Sequence, residues 1–284
     1  MSSGFKNVGE LVDAIESGRY SYASFRKVPS QASTAREWVD LSMAAGNPKP
    51  NYYASSPLVA ATLSGIDGIY HGSDKSPAKM YMYEIGFSTP TAGFVGPITI
   101  QDILLYYPFL DLDDTESQTL DNTVSLPRYT DGEGVQAMLV CAAPTIGGGS
   151  FSFVYDDQDG VERTSPVQSC YTSTTNIGAL VNAVPATVAG PGPYLQLASG
   201  SRGIRRIKSF QMSVSNGGLA TLVLVKPLAT KYINEINSTQ EYSLFGRGNI
   251  LPEIKDGAYL GLLSSCASSL AAGQLSGHAK FVWY

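Results

Sequence analysis

The chain has 284 residues, a formal net charge of −5 and only 15% charged side chains, whereas soluble proteins average about 25%. A sequence-independent nucleic-acid binder needs a broad positive face, so an acidic chain is not expected to be one. No apolar run reaches the roughly 18 residues that a membrane-spanning helix requires. The hydrophobic fraction of 43% is typical of a folded protein and argues against disorder.

Two features indicate synthesis in the cytoplasm. Residues 1–9 lack the charged-then-apolar pattern of a secretory signal. The three cysteines, Cys141, Cys170 and Cys266, are odd in number and match no zinc or redox spacing. Their apolar or small neighbours favour buried, reduced thiols.

Polar but uncharged side chains take the place of the missing charges. The chain contains 17 tyrosines and is rich in serine and threonine. A surface of this kind is typical of protein–protein interfaces, although β-proteins also favour tyrosine and threonine because these side chains suit a pleated sheet. Composition alone leaves both interpretations open.

The N-terminal segment, residues 1–18, is predicted to form a short helical arm. Its apolar residues recur every three or four positions and would line one face: Phe5, Val8, Leu11, Val12 and Ile15. Gly18 stands where a helix usually ends. A helix this short needs a docking surface, which is either the chain's own sheet or a neighbouring subunit.

After Gly18 the pattern predicts β-structure throughout. A Pro-rich segment, residues 46–57, carries three prolines and cannot be a central strand. We expect it to be extended, with Tyr52 and Tyr53 exposed. An acidic loop follows the fourth strand, at residues 111–116. The other segments predicted to be β-structure are 20–28, 37–41, 79–87, 98–109, 135–142, 258–263 and 279–284.

Two hairpins are predicted from alternation on both sides of a turn. In the first, residues 151–155 lead into an acidic turn at 156–160, and residues 161–168 return. In the second, residues 209–215 lead into Asn216-Gly217-Gly218, and residues 219–225 return. Asparagine and glycine accept the positive φ angles of tight turns.

About ten strands at this spacing, without strand–helix alternation, predict an all-β fold. The expected architecture is a β-sandwich, jelly-roll-like, with a short N-terminal helical arm. Residues 19–284 would form the sandwich domain, and a division near residues 110–130 is the alternative.

Residues capable of catalysis are sparse. The two histidines, His71 and His278, have no ligand or catalytic partner at a recognisable spacing, and the common hydrolase and phosphate-loop motifs are absent. Structural or surface roles are therefore expected for both. The acidic groups at 111–116 and 156–159 are interpreted as solvated loops, with weak cation binding second for the first group and a calcium loop disfavoured for the second. No cofactor or metal is expected.

A basic run interrupts the acidic chain at Arg202, Arg205, Arg206 and Lys208. It could protect an edge strand from unwanted pairing or bind an acidic patch on a partner chain. Contact with nucleic acid comes third, because no aromatic residues interleave with the basic ones.

Several stretches resemble an uncharacterised family of tailed-phage virion structural proteins, of the capsid decoration or minor capsid type. They include QASTAREWVDLSMAAGNPKPNYYASSPLVA at residues 31–60 and GPYLQLASGSRGIRRIKSF at 192–210. Residues 105–109 and 126–129 carry further similarity. The resemblance implies a virion structural role and supplies no catalytic residue.

The sequence thus predicts a non-enzymatic virion protein, made in the host cytoplasm, that decorates or reinforces a capsid. Its expected partners are other virion proteins, above all the major capsid protein, and further copies of itself, a trimer being one candidate. The arm or the Pro-rich segment would clamp a neighbouring subunit. A tail or adsorption component that binds a host glycan through Tyr52, Tyr53, Tyr106 and Tyr107 is the first alternative, and a glycan depolymerase is the second.

Overall fold

A computed structural model of the chain describes residues 5, 7–30, 33–170, 176–182, 192–245, 251–271 and 273–284. Within these residues the chain forms one α-helix, α1 (Val8–Glu16), and sixteen β-strands in three sheets, all paired antiparallel. Short 3₁₀ helices span Leu41–Met43, Gly65–Asp67 and Ala92–Phe94. No helix among the described residues is both long and apolar enough to cross a membrane.

Sheet I contains the first and the last strand of the described residues. Its strands are β1 (Tyr20–Val28), β3 (Ala45–Asn47), β4 (Met80–Ser88), β13 (Thr239–Ser243), β14 (Glu253–Ile254) and β16 (Leu275–Trp283). They lie in the order β13-β4-β16-β1-β3, with β14 paired to β4. On β1 the residues alternate between exposed and buried from Tyr22 to Lys27, so one face of the sheet meets solvent, as is common for antiparallel sheets.

Sheet II is the central sheet. Its strands are β2 (Trp38–Asp40), β5 (Gly96–Asp111), β7 (Gln136–Ala143), β12 (Leu219–Ile233) and β15 (Tyr259–Ser265). Their order is β2-β15-β5-β12-β7. Most residues of β5 are buried on both faces, which explains why its sequence is a nearly continuous apolar run.

Sheet III holds the first predicted hairpin. Its strands are β6 (Gln118–Thr119), β8 (Ser150–Asp157), β9 (Glu162–Thr164), β10 (Gln168–Ser169) and β11 (Ile204–Val214). The order is β10-β8-β11-β6, and β9 pairs with β8. Gly160 has a φ of 77° in the turn, a conformation that glycine adopts at little cost. The hairpin prediction for this segment is confirmed.

The sheets pack face to face around two main cores. Core 1 joins sheets I and II, with Phe87 and Phe281 from the first and Ile100 from the second. Core 2 joins sheets II and III, with Leu222 from the second and Phe210 from the third. The chain is therefore an all-β protein, as predicted, in which sheets I and III both pack against the central sheet II.

A buried ion pair lies on β5 where the two cores meet. Asp102 follows Ile100 of core 1 and precedes Leu105 of core 2. The Nε of Arg128 donates to its Oδ2 at 2.8 Å, and Nη2 donates to Oδ1 at 2.7 Å. The backbone N–H of Tyr259 also donates to Oδ1 at 3.1 Å. Bidentate geometry and an extra donor are what a buried carboxylate requires.

The prediction of the second hairpin, at residues 209–225, is wrong. β11 lies in sheet III and β12 in sheet II, so Asn216-Gly217-Gly218 carries the chain from one layer to the other. β12 is already paired on both sides, with β5 and β7, and has no free edge for β11. Gly217 and Gly218 do adopt positive φ angles of 65° and 81°, but a turn between layers needs them as much as a hairpin does.

The three cysteines are free and buried, as predicted. Burial raises the pKa of each thiol to about 12. They therefore behave as small apolar side chains at neutral pH.

Candidate interaction surfaces

The N-terminal helix packs against its own sheet. The side chain of Asn7 caps α1 by accepting a hydrogen bond from the N–H of Glu10 at 3.0 Å. Leu11 and Ala14 are buried in core 1. Phe5 approaches the rings of Tyr81 and Tyr284 edge-on, at centroid distances of 5.8 and 5.5 Å. The helix is thus anchored on sheet I within the chain.

The predicted apolar face of α1 is divided between two environments. Leu11 is buried and Phe5 and Ile15 are partly buried, whereas Val8 is 58% exposed and Val12 is 43% exposed. Residues four apart lie on the same side of a helix, so Val8 and Val12 form one apolar strip. This strip, residues 8 and 12, is exposed beside the sheet-bound side of the helix and is called the outer strip.

The Pro-rich segment exposes one of its two predicted aromatics. Tyr52 is 59% exposed, but Tyr53 is fully buried, so the prediction that both are exposed is wrong. Tyr53 has a φ of 51°, and its N–H donates to the side chain of Asn51 at 3.0 Å. This turn aims the phenol inward, where its hydroxyl donates to the carboxylate of Asp40.

The cluster around Tyr53 is buried and polar. Burial raises the pKa of Asp40, although the hydrogen bond from Tyr53 acts in the opposite direction. Nearby, the ammonium of Lys27 donates to the carbonyl oxygens of Ala44 at 3.1 Å and Pro48 at 2.8 Å. Burial lowers the pKa of Lys27 to about 8. These bonds fix the start of the Pro-rich segment on sheet I.

The substitution Tyr53→Phe is expected to lower the free energy of unfolding by about 1–3 kcal/mol, because it leaves the buried carboxylate of Asp40 without its hydroxyl donor. Urea denaturation measures this loss. Tyr52→Phe is the matched control, since its side chain is exposed and its stability should stay within about 0.5 kcal/mol of the native chain. Equal losses of stability in Tyr53→Phe and Tyr52→Phe would contradict a stabilising role for the hydrogen bond from Tyr53 to Asp40.

The aromatic platform considered for glycan binding is not formed. Of its four tyrosines only Tyr52 is exposed, and Tyr106 is 4% exposed and Tyr107 is 0%. The hydroxyl of Tyr107 donates to Asn122 at 2.7 Å. Consecutive tyrosines on β5 point to opposite faces of a sheet that is buried on both sides, which is why neither reaches solvent.

The basic run is neutralised within the chain. Arg206 contacts Asp156 at 2.6 Å, and Lys208 contacts Asp156 at 2.9 Å and Glu162 at 2.7 Å. Arg202 contacts Glu133 at 3.0 Å. Burial disfavours the charged form of Asp156, but the hydrogen bonds from the two cations outweigh it and lower its pKa.

On one side of β11 lies β8, but on the other side β6 pairs only with Ser209 and Phe210, which follow the basic run, so edge protection by this run stays a prediction. Arg205 donates to the carbonyl oxygen of Gln158 at 2.6 Å and to that of Asp131 at 3.1 Å. Arg205 and Arg206 line an open cleft of about 460 Å³. The side chain of Arg206 is 52% exposed, so part of this run still faces solvent.

The acidic turn of the β8–β9 hairpin is not solvated as predicted. Asp157 is fully buried and accepts hydrogen bonds from the Nε of Arg163 at 3.0 Å and the N–H of Val161 at 2.9 Å. Burial opposes ionisation of Asp157, yet these donors together lower its pKa. The carboxylates of this turn hold the hairpin and the basic run together.

The loop at residues 111–116 is mostly exposed, as predicted. Asp111 and Asp114 each accept a hydrogen bond from an N–H two residues further on, that of Asp113 at 2.9 Å and that of Glu116 at 2.8 Å. Such turns are the ordinary local role of aspartate.

The two histidines differ in environment. His71 is buried and within 3.2 Å of the carbonyl oxygen of Ala258, and burial lowers its pKa. The Nε2 of His278 lies 3.4 Å from a carboxylate oxygen of Glu84 and 3.8 Å from one of Glu241. Spacing along the sequence could not reveal this cluster, because its members come from three strands that are far apart in the chain and adjacent only in the sheet. The alternating polar residues of β16 were the available signal, since they place His278 on the outer face of its strand.

Comparison with known proteins identifies no family for this chain. No family model and no curated protein matches the chain. Among solved structures, a mutant VP2 protein of infectious bursal disease virus, in derived T=1 particles, shares 9% identity over 93% of this chain and 77% of its own, with a TM-score of 0.18. A VP2 subviral particle of the same virus shares 7% identity over 93% and 80%, with a TM-score of 0.14. TM-scores this low carry no argument about fold or function.

Proposed function

We propose that this chain is a virion structural protein, of the capsid decoration or minor capsid type, that acts without catalysis through protein–protein contacts. Its partners would be the major capsid protein and other copies of itself, and its location the virion. The proposal extends the resemblance of residues 31–60 and 192–210 to phage virion proteins.

The outer strip of α1 is the observation that carries this proposal. A surface helix normally turns its apolar residues toward its own core and polar residues outward. Here Leu11 and Ala14 already anchor the helix, yet Val8 and Val12 remain exposed on a further side. Apolar side chains grouped on a helix in this way are suited to a groove on a partner.

The body of the protein also suits a structural role. Sheets I, II and III share two buried cores, which makes a stiff support. On β1, which follows the helix in the chain, Tyr20 is 50% exposed and Tyr22 is 58% exposed. Tyrosine is enriched in protein interfaces, so the start of β1 offers a further, aromatic contact.

Two of the carboxylates considered for glycan hydrolysis are otherwise engaged. Asp156 and Asp157 are held by Arg206, Lys208 and Arg163, and glycoside hydrolysis needs one carboxyl kept protonated as an acid. Together with the buried tyrosines of β5, this favours the structural role over both glycan-directed alternatives.

The double substitution Val8→Glu/Val12→Glu is expected to weaken binding to particles at least tenfold, because it places two charges in an apolar contact. Co-sedimentation with particles lacking the chain measures the binding. Far-UV circular dichroism should be unchanged, since both side chains are exposed.

Val167→Glu is the matched control, because Val167 is 68% exposed and lies outside the helix. It should bind like the native chain. Unchanged binding by the double variant, or by a chain lacking residues 1–18, would overturn the role of the helix. Turnover or binding of host polysaccharide without particle binding would overturn the proposed function itself.

A further inference from the structure

The outer face of sheet I carries a cluster of three potential metal ligands. Glu241 on β13 and His278 on β16 both pair in register with Gly86 on β4. Glu84 lies two residues from Gly86 on the same strand and therefore on the same face. Three adjacent strands thus each contribute one ligand side chain to a single point.

The spacing of the ligand atoms fits a small divalent ion. Nitrogen and oxygen ligands lie at about 2.0–2.2 Å from zinc, so tetrahedral ligands are roughly 3.3–3.6 Å apart. The Nε2 of His278 is 3.4 Å from Oε1 of Glu84 and 3.8 Å from Oε1 of Glu241. All three ligand atoms lie within 4.8 Å of one another. The side chain of Glu241 is 59% exposed and so has room to adjust to a bound ion.

The imidazole is held in place from two directions. Below it is Gly86, where an added Cβ would lie 2.3 Å from Cε1 of His278, so only glycine leaves room for the ring. The ring of Tyr22 stacks on the imidazole at 5.4 Å with an interplanar angle of 22°. Both contacts position Nε2 toward the two carboxylates, and positioned ligands are a requirement of metal sites.

Lys280 supplies a competing cation. Its ammonium contacts Oε1 of Glu84 at 2.5 Å, the same oxygen that faces His278. Two carboxylates at one point need compensating charge, and a single ammonium compensates only one of them. A divalent ion would neutralise both and displace Lys280 toward solvent, where its side chain is already 33% exposed.

We propose that Glu84, Glu241 and His278 form a binding site for a divalent transition-metal ion such as Zn²⁺. One imidazole and two carboxylates are a ligand set that zinc accepts, with water in the fourth position. The bound ion links β13, β4 and β16 across the outer face of sheet I. This inference does not depend on the proposed virion role.

The test is isothermal titration calorimetry of the untagged full-length protein with Zn²⁺. The native chain should bind one ion, and its melting temperature should rise in the presence of Zn²⁺ because the ligand binds only the folded state. His278→Gln and Glu84→Gln should weaken binding at least tenfold. Lys280→Met should tighten binding, since it removes the competing ammonium.

Two controls keep the result interpretable. Glu116→Gln, in the acidic loop at 111–116, should leave Zn²⁺ binding unchanged. Circular dichroism and melting without metal establish that each variant folds. The proposed site would be overturned if the native chain bound Zn²⁺ no more tightly than His278→Gln. It would also be overturned if Glu116→Gln weakened Zn²⁺ binding as much as His278→Gln does. In either case the three residues would form only a cross-strand ion-pair cluster.

Discussion

Replacing Arg128 with Met is expected to lower the free energy of unfolding by about 3–5 kcal/mol. Asp102 is fully buried on the central strand, and Arg128 provides two of its hydrogen bonds at 2.7 and 2.8 Å. Without the guanidinium the carboxylate would be left charged in an apolar layer. Urea denaturation at neutral pH measures the loss.

The size of this loss should depend on pH. Burial raises the pKa of Asp102, and loss of Arg128 raises it further. A carboxyl with a folded-state pKa above its unfolded value stabilises the fold when protonated, and that stability is lost as pH rises through the folded pKa. Arg128→Met should therefore cost less at about pH 4 than at about pH 7.

The double variant Asp102→Leu/Arg128→Met is the control for charge burial. Replacing both members of a buried pair by apolar residues is often close to neutral, so much of the lost stability should return. A single Arg128→Met variant within about 1 kcal/mol of the native chain would contradict the structural importance of the pair.

The native protein is expected to lose stability as the pH rises from about 9 to about 12, in part through its buried thiols. Burial raises the pKa of the thiols of Cys141, Cys170 and Cys266 to about 12. The unfolded chain loses these protons near pH 9, so the stability that the thiols contribute is full below that pH and falls as the pH rises toward 12. Each thiol can remove up to about 4 kcal/mol, and total stabilities are about 5–15 kcal/mol.

Urea denaturation at several pH values tests this expectation, with the triple variant Cys141→Ala/Cys170→Ala/Cys266→Ala as the comparison. The variant starts less stable because of its cavities, but its stability should fall less steeply with pH. Lys27, whose pKa is lowered to about 8, acts in the opposite sense equally in both proteins. Identical slopes would mean that the thiols are not buried in the native state.

Most of the longer strands were predicted, because the residue pattern of a strand can be read within the strand itself. The Tyr- and Ser-rich segment from Tyr20 to Val28, predicted as β-structure, forms β1 with these bounds, and the acidic turn between β8 and β9 forms the predicted hairpin. The helix was also predicted, yet its buried side is centred on Leu11 and Ala14 rather than on Val8 and Val12. Periodicity defines a broad apolar face, and only the docking surface decides which part of it is covered.

The failures concern contacts between distant parts of the chain. Asn216-Gly217-Gly218 reverses the chain whether the next strand pairs with the previous one or enters another sheet. The tyrosine pairs predicted to be exposed are largely buried, because a phenol with a hydrogen-bond partner can enter a core. The carboxylates of the acidic turn were predicted to face solvent because the cations that pair with them are not nearby in the sequence. Arg206, for example, lies about 50 residues from Asp156.

The candidate site was predictable only in part. Composition and the apolar pattern of residues 5–15 left an interface role open beside a purely structural one, and the outer strip of α1 belongs to that pattern. The Glu84–Glu241–His278 cluster was not predictable from spacing, because strand order in sheet I brings its members together. The polar alternation on β16 at Ser276, His278 and Lys280 shows that this face is exposed, but not what lies beside it.

Cryo-electron microscopy of the native particle, with this chain located in the density, tests the proposed function most directly. We expect density for the chain on the capsid lattice, with Val8 and Val12 in contact with a neighbouring subunit. Density at the tail tip or fibres would favour an adsorption component and contradict the decoration role. Absence of the chain from the particle would contradict the virion assignment altogether.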